Sequence, residues 1–405
     1  MIAVPAEARP WKVQTIAGKG AALSRGVDVL PNGRTAVLLQ RRSSGRNRLE
    51  LRVGGSVRTL DLSSGSFDST HLGHDSNGRL VVAWRRLLNP GVAQAFAWTS
   101  RGGRQQVSAV QKSVTDVTLA VAGNGRAVLG FVAADGVFVS RRSPGSGFAP
   151  AESLADAGTF ASGPGVAVTR RGRIVAAWLR GAGVVARSAS GAAPFGAAQA
   201  VALRPAAAGA TLVGGPPRVV ITSQSRAVVV VSSYELRRTA VAPLFVDQRV
   251  EAFDWPASSA HPSASATLSR SASAGVADVV AQGSSAVIAW TQKAQSSPRE
   301  LWATTWTAKG VQRPQIYNTR ALAAPVVLTA AAGSAVNVFY RAGGPRWFNV
   351  RLSAAGRYSG TANVTPAGEG VALIYAAASG NHVAASWHAQ LGPTAGSRRV
   401  QVARP

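Results

Sequence analysis

The stretch GRLVVAW, from Gly78 to Trp84, decides the fold, because close variants of it return along the whole chain. Each variant has a glycine or serine at a turn, then an apolar run, then a closing aromatic residue. Further copies are GRAVLGF at 125–131, GRIVAAW at 172–178 and SSAVIAW at 284–290. A stretch that recurs at a nearly fixed interval is typical of a repeated structural unit, not of a single functional site.

The sequence from residue 26 to residue 62, which holds the copy nearest the start of the chain, predicts four short β-strands. Apolar residues alternate or form short runs at 26–30, 34–40, 48–53 and 57–62. Asn32 and Gly33 lie between the first two runs, and this pair supplies the positive φ angles that a tight hairpin turn needs. One repeat is therefore predicted to be a small antiparallel sheet.

Eight copies of this pattern follow one another. Their turn residues are Gly33, Gly78, Gly125, Gly172, Ser225, Ser284, Gly333 and Asn381, which are 45, 47, 47, 53, 59, 49 and 48 residues apart. Four-stranded sheets that repeat about every 40 to 50 residues predict a β-propeller, in which each sheet is a blade packed face to face on the next. We predict an all-β fold with eight blades, with seven as the alternative.

The two ends of the chain predict how the ring closes. The last copy has strands at 370–375, 382–387 and 398–403, and it lacks a fourth. A strand at 11–16 precedes the first complete copy, so we expect it to supply the missing outer strand. This pairing removes an exposed edge that an open array leaves. We therefore predict one propeller domain over residues 11–405.

Two segments fall outside the pattern. Residues 1–10 are predicted to be either a disordered terminus or the remnant of a secretory signal peptide. The second alternative rests on small residues at cleavage-site spacing between Ala3 and Ala8. Residues 254–275 are rich in serine and alanine and predict a low-complexity loop between blades five and six. The scarcity of aromatic residues in this loop favours a tether over a binding element.

The composition is strongly basic. The chain has 44 lysines and arginines against 17 acidic residues, a net charge of +27 at pH 7. Biased coding toward arginine produces such a balance without any ligand, yet a field of this sign attracts anionic polymers whatever its origin. No cysteine is present, which excludes disulfides and thiolate chemistry. No apolar run is long enough to span a membrane as a helix.

The copy at 172–178, followed by GVVAR at 183–187 and PFG at 194–196, resembles the repeats of sialidase-like (BNR-type) β-propellers among predicted exported actinobacterial proteins. The resemblance covers residues 11–405 and implies the propeller fold. Sialidases of that family carry Asp-boxes, Ser/Thr-x-Asp-x-Gly-x-Thr-Trp, and an arginine triad with a Tyr/Glu pair. This sequence lacks Asp-boxes, and its nearest fragment, Asp75 to Gly78, has the wrong spacing. No catalytic residue of the family can therefore be assigned.

One segment concentrates residues that can bind a metal ion. His71, His74 and Asp75 are the weak candidates, since imidazole and carboxylate together can hold zinc. The repeat argues against a site, because His74 aligns with valines that pack between blades. Side chains alternate along a strand, so His74 and Asp75 should also point to opposite faces. We therefore expect no metal site and no cofactor.

Acidic and aromatic residues give two further expectations. Four acids lie at or just before innermost strands, where some can approach the central channel: Asp28, Asp68, Asp116 and Asp278. The aromatic slot of the repeat predicts packing between blades and is filled by Trp84, Phe131, Trp178, Trp290, Phe339 and Trp387. Four tryptophans lie outside the slot and are expected to be partly exposed, as weaker candidates for glycan contact: Trp98, Trp302, Trp306 and Trp347.

Arginine recurs at two positions of the repeat. One group follows the turn residue and comprises Arg34, Arg79, Arg126, Arg173 and Arg226. The other stands two residues past the aromatic slot, at Arg41, Arg86, Arg180 and Arg341. The two groups should ring opposite faces of the propeller. Solvated turns filled with arginine by coding bias explain both groups. The alternative is a basic rim that binds phosphate or carboxylate polymers, for which the second group is our candidate binding site.

The sequence favours a non-enzymatic binding platform that is secreted or held at the cell surface, with the cytoplasm as the alternative location. Its expected partners are anionic polysaccharides, wall polymers or proteins. Sequence-specific recognition of nucleic acid is not expected, because no known module appears. We expect a monomer. Two alternatives stay open: a divergent sialidase-like enzyme with carboxylates at the channel mouth, and a purely structural interaction module.

Overall fold

A computed structural model describes most of the chain. The described residues are 11–20, 22–89, 91–109, 113–156, 163–181, 183–238, 243–269, 274–293, 299–318, 321, 326–331, 335–342, 346–352, 358–366, 371, 373–390 and 398–405. The predicted terminal segment 1–10 lies outside them. Within the described residues the regular elements are all β-strands, and no helix long and apolar enough to cross a membrane is found there.

The first half of the chain forms four blades after an initial strand, β1 (Lys12–Gly20). Blade one contains β2 (Ala22–Val29), β3 (Thr35–Ser43), β4 (Arg46–Val53) and β5 (Ser56–Ser63). Blade two contains β6 (Phe67–His74), β7 (Leu80–Asn89), β8 (Val92–Thr99) and β9 (Gly103–Gln106). Blade three contains β10 (Val114–Val121), β11 (Ala127–Ala133), β12 (Gly136–Arg142) and β13 (Glu152–Asp156). Blade four contains β14 (Gly165–Val168), β15 (Arg173–Arg180), β16 (Gly183–Ser190) and β17 (Gln199–Ala202).

The second half forms the other four blades. Blade five contains β18 (Ala210–Gly214), β19 (Arg218–Ile221), β20 (Ala227–Arg238), β21 (Pro243–Trp255) and β22 (Ala266–Thr267). Blade six contains β23 (Asp278–Gln282), β24 (Ser285–Lys293), β25 (Arg299–Thr307), β26 (Gly310–Val311) and β27 (Gln315–Asn318). Blade seven contains β28 (Val327–Ala331), β29 (Ala335–Arg341), β30 (Trp347–Leu352) and β31 (Tyr358–Asn363). Blade eight contains β32 (Ile374–Ser379), β33 (His382–Gln390) and β34 (Arg398–Arg404).

The ring closes as the sequence predicts. Strand β1 pairs antiparallel with β34, from Lys12 opposite Arg404 to Gly20 opposite Arg398, and completes blade eight as its outer strand. The innermost strand of each blade contacts those of its two neighbours, including β32 against β2. The eight-bladed propeller is thus confirmed, with a central channel lined by β2, β6, β10, β14, β19, β23, β28 and β32.

Blade five departs from the regular pattern at the channel. Its innermost position is divided between two strands, since β18 and β19 both pair with β20, along different halves of it. Residues 254–275, predicted as a loop, include the end of β21 and the two-residue β22, which is the outer strand of this blade.

The core lies between blades and is built on the aromatic slot. All six slot residues are buried, at 0–1% exposure. The four tryptophans outside the slot are also buried, at 6% or less, so the prediction of partial exposure is wrong. For Trp302 the reason is stacking across strands, since it stands on β25 opposite Trp290 on β24, with ring centroids 6.4 Å apart.

The first hairpin turn has a residue with a positive φ angle in seven blades; the turn of blade seven, with the predicted Gly333, lies outside the described residues. Gly33, Gly78, Gly125 and Gly172 adopt it as predicted, and Ser225 adopts it at +58°. In blades six and eight the residue with positive φ is Gly283 or Gly380, one position before the predicted Ser284 and Asn381. The alignment is off by one there because these two turns are only two residues long, with Gln282 opposite Ser285 and Ser379 opposite His382.

Candidate functional site

All innermost strands of the ring run in the same direction, so all of them begin at one face, here called the top face. The second strand of each blade is antiparallel to the first and therefore ends at the top face. The hairpin turns that join these strands lie on the opposite, bottom face. The channel is entered at the top face between the first residues of the innermost strands.

Three chemically distinct side chains share one height in this channel. His71 pairs with Ala83, Arg218 with Val230 and Asp278 with Ala289. Each partner stands one residue before the aromatic slot of its blade, so the repeat places the three at the same level. They belong to blades two, five and six, and the charge of Arg218 acts on both His71 and Asp278.

His71 is held neutral by its surroundings. Protein encloses the ring, although water still reaches part of it. Burial, followed by the positive charge of Arg218, lowers the pKa of His71 from 6.5 to about 4, against the opposing charge of Asp116. At neutral pH the imidazole therefore carries no charge and can accept or donate a hydrogen bond.

Asp278 is fixed by backbone amides of two blades. One carboxylate oxygen accepts from the Val279 amide at 3.0 Å, and the other accepts from the Leu328 amide of blade seven at 2.8 Å. Burial raises the pKa of Asp278, while Arg218 and the two amides oppose that rise. The carboxyl is thus more easily protonated than an ordinary aspartate.

The guanidinium of Arg218 is not paired with any described residue. Its side chain is exposed inside the channel, and its charge acts on both His71 and Asp278. Among the described residues its guanidinium makes no hydrogen bond and no ion pair within 4 Å. A cation of this kind in a confined channel is available to an anionic ligand.

The other acids predicted to approach the channel do lie on innermost strands, each in a different setting. Asp68 on β6 forms a two-point ion pair with Arg85, with both N–O distances 2.6 Å. Asp116 on β10 accepts from the Val117 amide at 2.9 Å and lies against Gly163, where an added Cβ would stand 2.6 Å from the carboxylate. Asp116 therefore needs glycine on the neighbouring blade.

The three weak metal candidates point in different directions. His71 faces the channel, whereas His74 hydrogen-bonds Asp28 of blade one at 2.7 Å. Asp75 caps its own turn by accepting from the amides of Asn77 and Arg79, both at 2.9 Å. In the part of the chain that the structure describes, no three His, Cys, Asp or Glu side chains converge on a possible metal position.

The four predicted binding arginines are spread around the top face, at the ends of β3, β7, β15 and β29. Arg180 is exposed, and Arg41 and Arg341 are half-buried. The Arg86 side chain is bonded within the protein: it donates to Asp61 at 3.2 Å and lies over the Phe96 ring at 4.4 Å. The four do not form one cluster.

Sequence reasoning missed Arg218 and Gly163. Arg218 directly follows a pair of prolines, in the copy whose aromatic slot holds Val231, so the repeat is hardest to align there. Counted from the turn residue of each copy, Arg218 stands at the same position as His71, whereas Asp278 is displaced by one residue because the turn of blade six is shorter.

Comparison with known proteins supports the fold. The chain matches no known protein-family profile and no curated protein sequence. Among solved structures, the BP39L lectin from Burkholderia pseudomallei is similar, with 11% identity and a TM-score of 0.52 over 86% of this chain and 100% of the lectin. A polysaccharide lyase, the PL25 ulvan lyase, has 8% identity and a TM-score of 0.54 over 95% of this chain and 94% of its own.

Proposed function

We propose that this protein is a non-enzymatic binding propeller, secreted or held at the cell surface, that binds anionic glycans or wall polymers at the top face. One observation carries the proposal: Arg218 projects into the channel with its guanidinium free of any described protein partner. The neutral His71 beside it adds a hydrogen-bonding group without adding charge.

Two features support this ligand class. The net charge of +27 draws a polyanion toward the protein, while Arg41 and Arg180 extend the positive surface outward from the channel. The lectin and the lyase that share the fold both act on saccharides according to their names. Arg218 gives the polymer a point of attachment, and the outer arginines add weaker contacts.

Binding to immobilised polygalacturonate tests the proposal. The change Arg218→Gln should lower affinity at least tenfold, whereas Arg101→Gln, at an exposed turn of the bottom face, should change it less than twofold. Joint replacement of Arg41 and Arg180 by Ser should give an intermediate loss. Equal losses from Arg218 and Arg101 would reduce the interaction to non-specific charge and overturn the proposal.

A second candidate function is a divergent glycan-active enzyme. It is favoured by the raised pKa of Asp278 and the neutral His71 at the same height, because a protonatable acid and a neutral base are the groups that acid–base catalysis uses. Incubation with polygalacturonate and with sialylated oligosaccharides, followed by chromatography of the products, tests this candidate. Products that vanish in the Asp278→Asn variant would establish it, and intact substrates would exclude it for these glycans.

A further inference from the structure

A second cavity opens on the bottom face, away from the channel. It has a volume of about 620 Å³ and lies between blades three and four. Its lining includes Arg126, Arg141, Arg142, Phe148, Glu152 and Pro194. This volume falls in the range of about 300–1,000 Å³ that is typical of small-molecule sites.

The walls of this cavity are fixed by internal bonds. Arg142 donates to the carbonyls of Gly125 and Ser146, and Gln105 bonds both the amide and the carbonyl of Phe148. Arg141 pairs with Glu152 at 2.5 Å. These contacts preorganise the loop that forms one side of the cavity, so little ordering remains to oppose ligand binding.

Arg126 differs from three of its counterparts in other blades. Arg34 donates to the Val53 carbonyl, and Arg173 donates to the carbonyls of Ser225 and Trp255 in the next blade. Arg226 pairs with Asp254. The guanidinium of Arg126 has no such bond to any described residue, and its buried Nε lacks a partner.

The carbonyl that matches the acceptor of Arg173 has a different donor in blade four. In blade five the Ser225 carbonyl accepts from the arginine of the preceding blade. Its equivalent in blade four, the Gly172 carbonyl, already accepts from the Gly191 amide at 3.0 Å. The Arg126 guanidinium lies against Gly172, lines the cavity and has no acceptor among the described residues.

The charge inside the cavity remains positive. Glu152 pairs with Arg141, and among the acids that the structure describes, Asp75 acts on Arg142 from behind Gly125. Burial lowers the pKa of Arg142; Asp75 opposes this and Arg79 adds to it. An anion in the cavity would relieve this excess.

We infer that this cavity binds an anionic sugar, with its carboxylate, sulfate or phosphate on Arg126 and its ring against Pro194. Pro194 is exposed and offers an apolar surface for the ring, and Ser143 and Ser146 line the cavity and can bond its hydroxyls. This inference does not depend on the top face and can succeed or fail independently of the function proposed there.

Titration calorimetry with glucuronate, glucose 6-sulfate, glucose 6-phosphate, glucose and inorganic phosphate tests the inference. We expect at least one anionic sugar to bind, and glucose to bind at least tenfold more weakly. The three anionic sugars distinguish a carboxylate ligand from an ester. Binding of phosphate alone with equal affinity would overturn the assignment to a sugar, and no binding of any anionic sugar would overturn the site.

Three variants locate the site. Arg126→Gln should lower affinity at least tenfold, while Arg34→Gln, the same repeat position in blade one, should leave it within twofold. Ala192→Phe should block the cavity without changing its charge and should also lower affinity at least tenfold. Normal binding by the Ala192 variant, or equal loss from both arginine variants, would contradict the inference. The Arg218→Gln variant should bind these sugars normally at this cavity.

Discussion

His71 and His74 stand three residues apart on β6 and experience opposite environments. Side chains alternate along a strand, so an odd separation sends these two rings to opposite faces of blade two. His71 faces blade three and the channel, and its pKa falls to about 4. His74 faces blade one, and its pKa is raised: burial opposes protonation, but the hydrogen bond and charge of Asp28, with the charge of Asp75, outweigh it.

This contrast shows what distinguishes a seam between blades from the channel. At the seam, His74 finds a carboxylate at 2.7 Å, and the pair joins blade one to blade two. In the channel, His71 is near an arginine that no described residue neutralises. At the seam, His74 and Asp28 pair with each other, whereas in the channel the charge of Arg218 is available to a ligand.

The largest expected effect concerns His71. Its folded pKa of about 4 lies below the unfolded value of 6.5, so the neutral form favours folding. This contribution is complete above pH 6.5 and is lost as pH falls toward 4, by about 3 kcal/mol. Urea unfolding from pH 7 to 4 should show that His71→Gln loses less stability than wild type. Identical pH profiles would contradict the assigned environment of His71.

A smaller effect of opposite sign is expected for His74. Its folded pKa lies above 6.5, so the bond to Asp28 stabilises the fold below pH 6.5, and the gain is lost as pH rises through the folded pKa. His74→Gln should cost about 1 kcal/mol at pH 5.5 and less at pH 8.5, measured by the same unfolding experiment. Asp28→Asn should show the same trend, and a pH-independent cost in both variants would contradict the ion pair.

The smallest effect tests the link between the channel residues. Arg218→Gln removes a charge that lowers the pKa of His71, so that pKa should move part of the way from about 4 toward 6.5. Burial, the larger cause, should keep it below 6.5. NMR titration of the histidine ring resonances would measure the change, with His74 as the internal control. An unchanged His71 pKa would show that the Arg218 charge does not reach the ring.

The repeat made the architecture predictable to the level of the closing strand. The Asn32–Gly33 turn and the buried slot led by Trp84 depend on local chemistry that recurs along the repeat. The pairing of the first strand with the last follows from the strand that the last copy lacks. Cross-strand stacking, as between Trp290 and Trp302, was not predictable, because it depends on which residues stand opposite each other after the sheet forms.

The site was less predictable than the fold for a physical reason. Channel residues meet through the ring and not through the sequence, so His71, Arg218 and Asp278 gave no shared local pattern. Arginines at equivalent positions of the repeat also differ in their hydrogen-bond partners. Arg126 and Arg173 occupy the same repeat position, yet only Arg173 finds carbonyl partners in the next blade.

The pairing of β1 with β34 has a mechanical consequence. Lys12 lies opposite Arg404, so the outer ends of the two strands emerge side by side at the circumference of blade eight. A pulling force applied between these ends would open their hydrogen bonds one after another, like a zipper, instead of shearing them all at once. The weakest point of the ring under tension is therefore the pairing of β1 with β34, and the other seven blades bear load only after this pairing has opened.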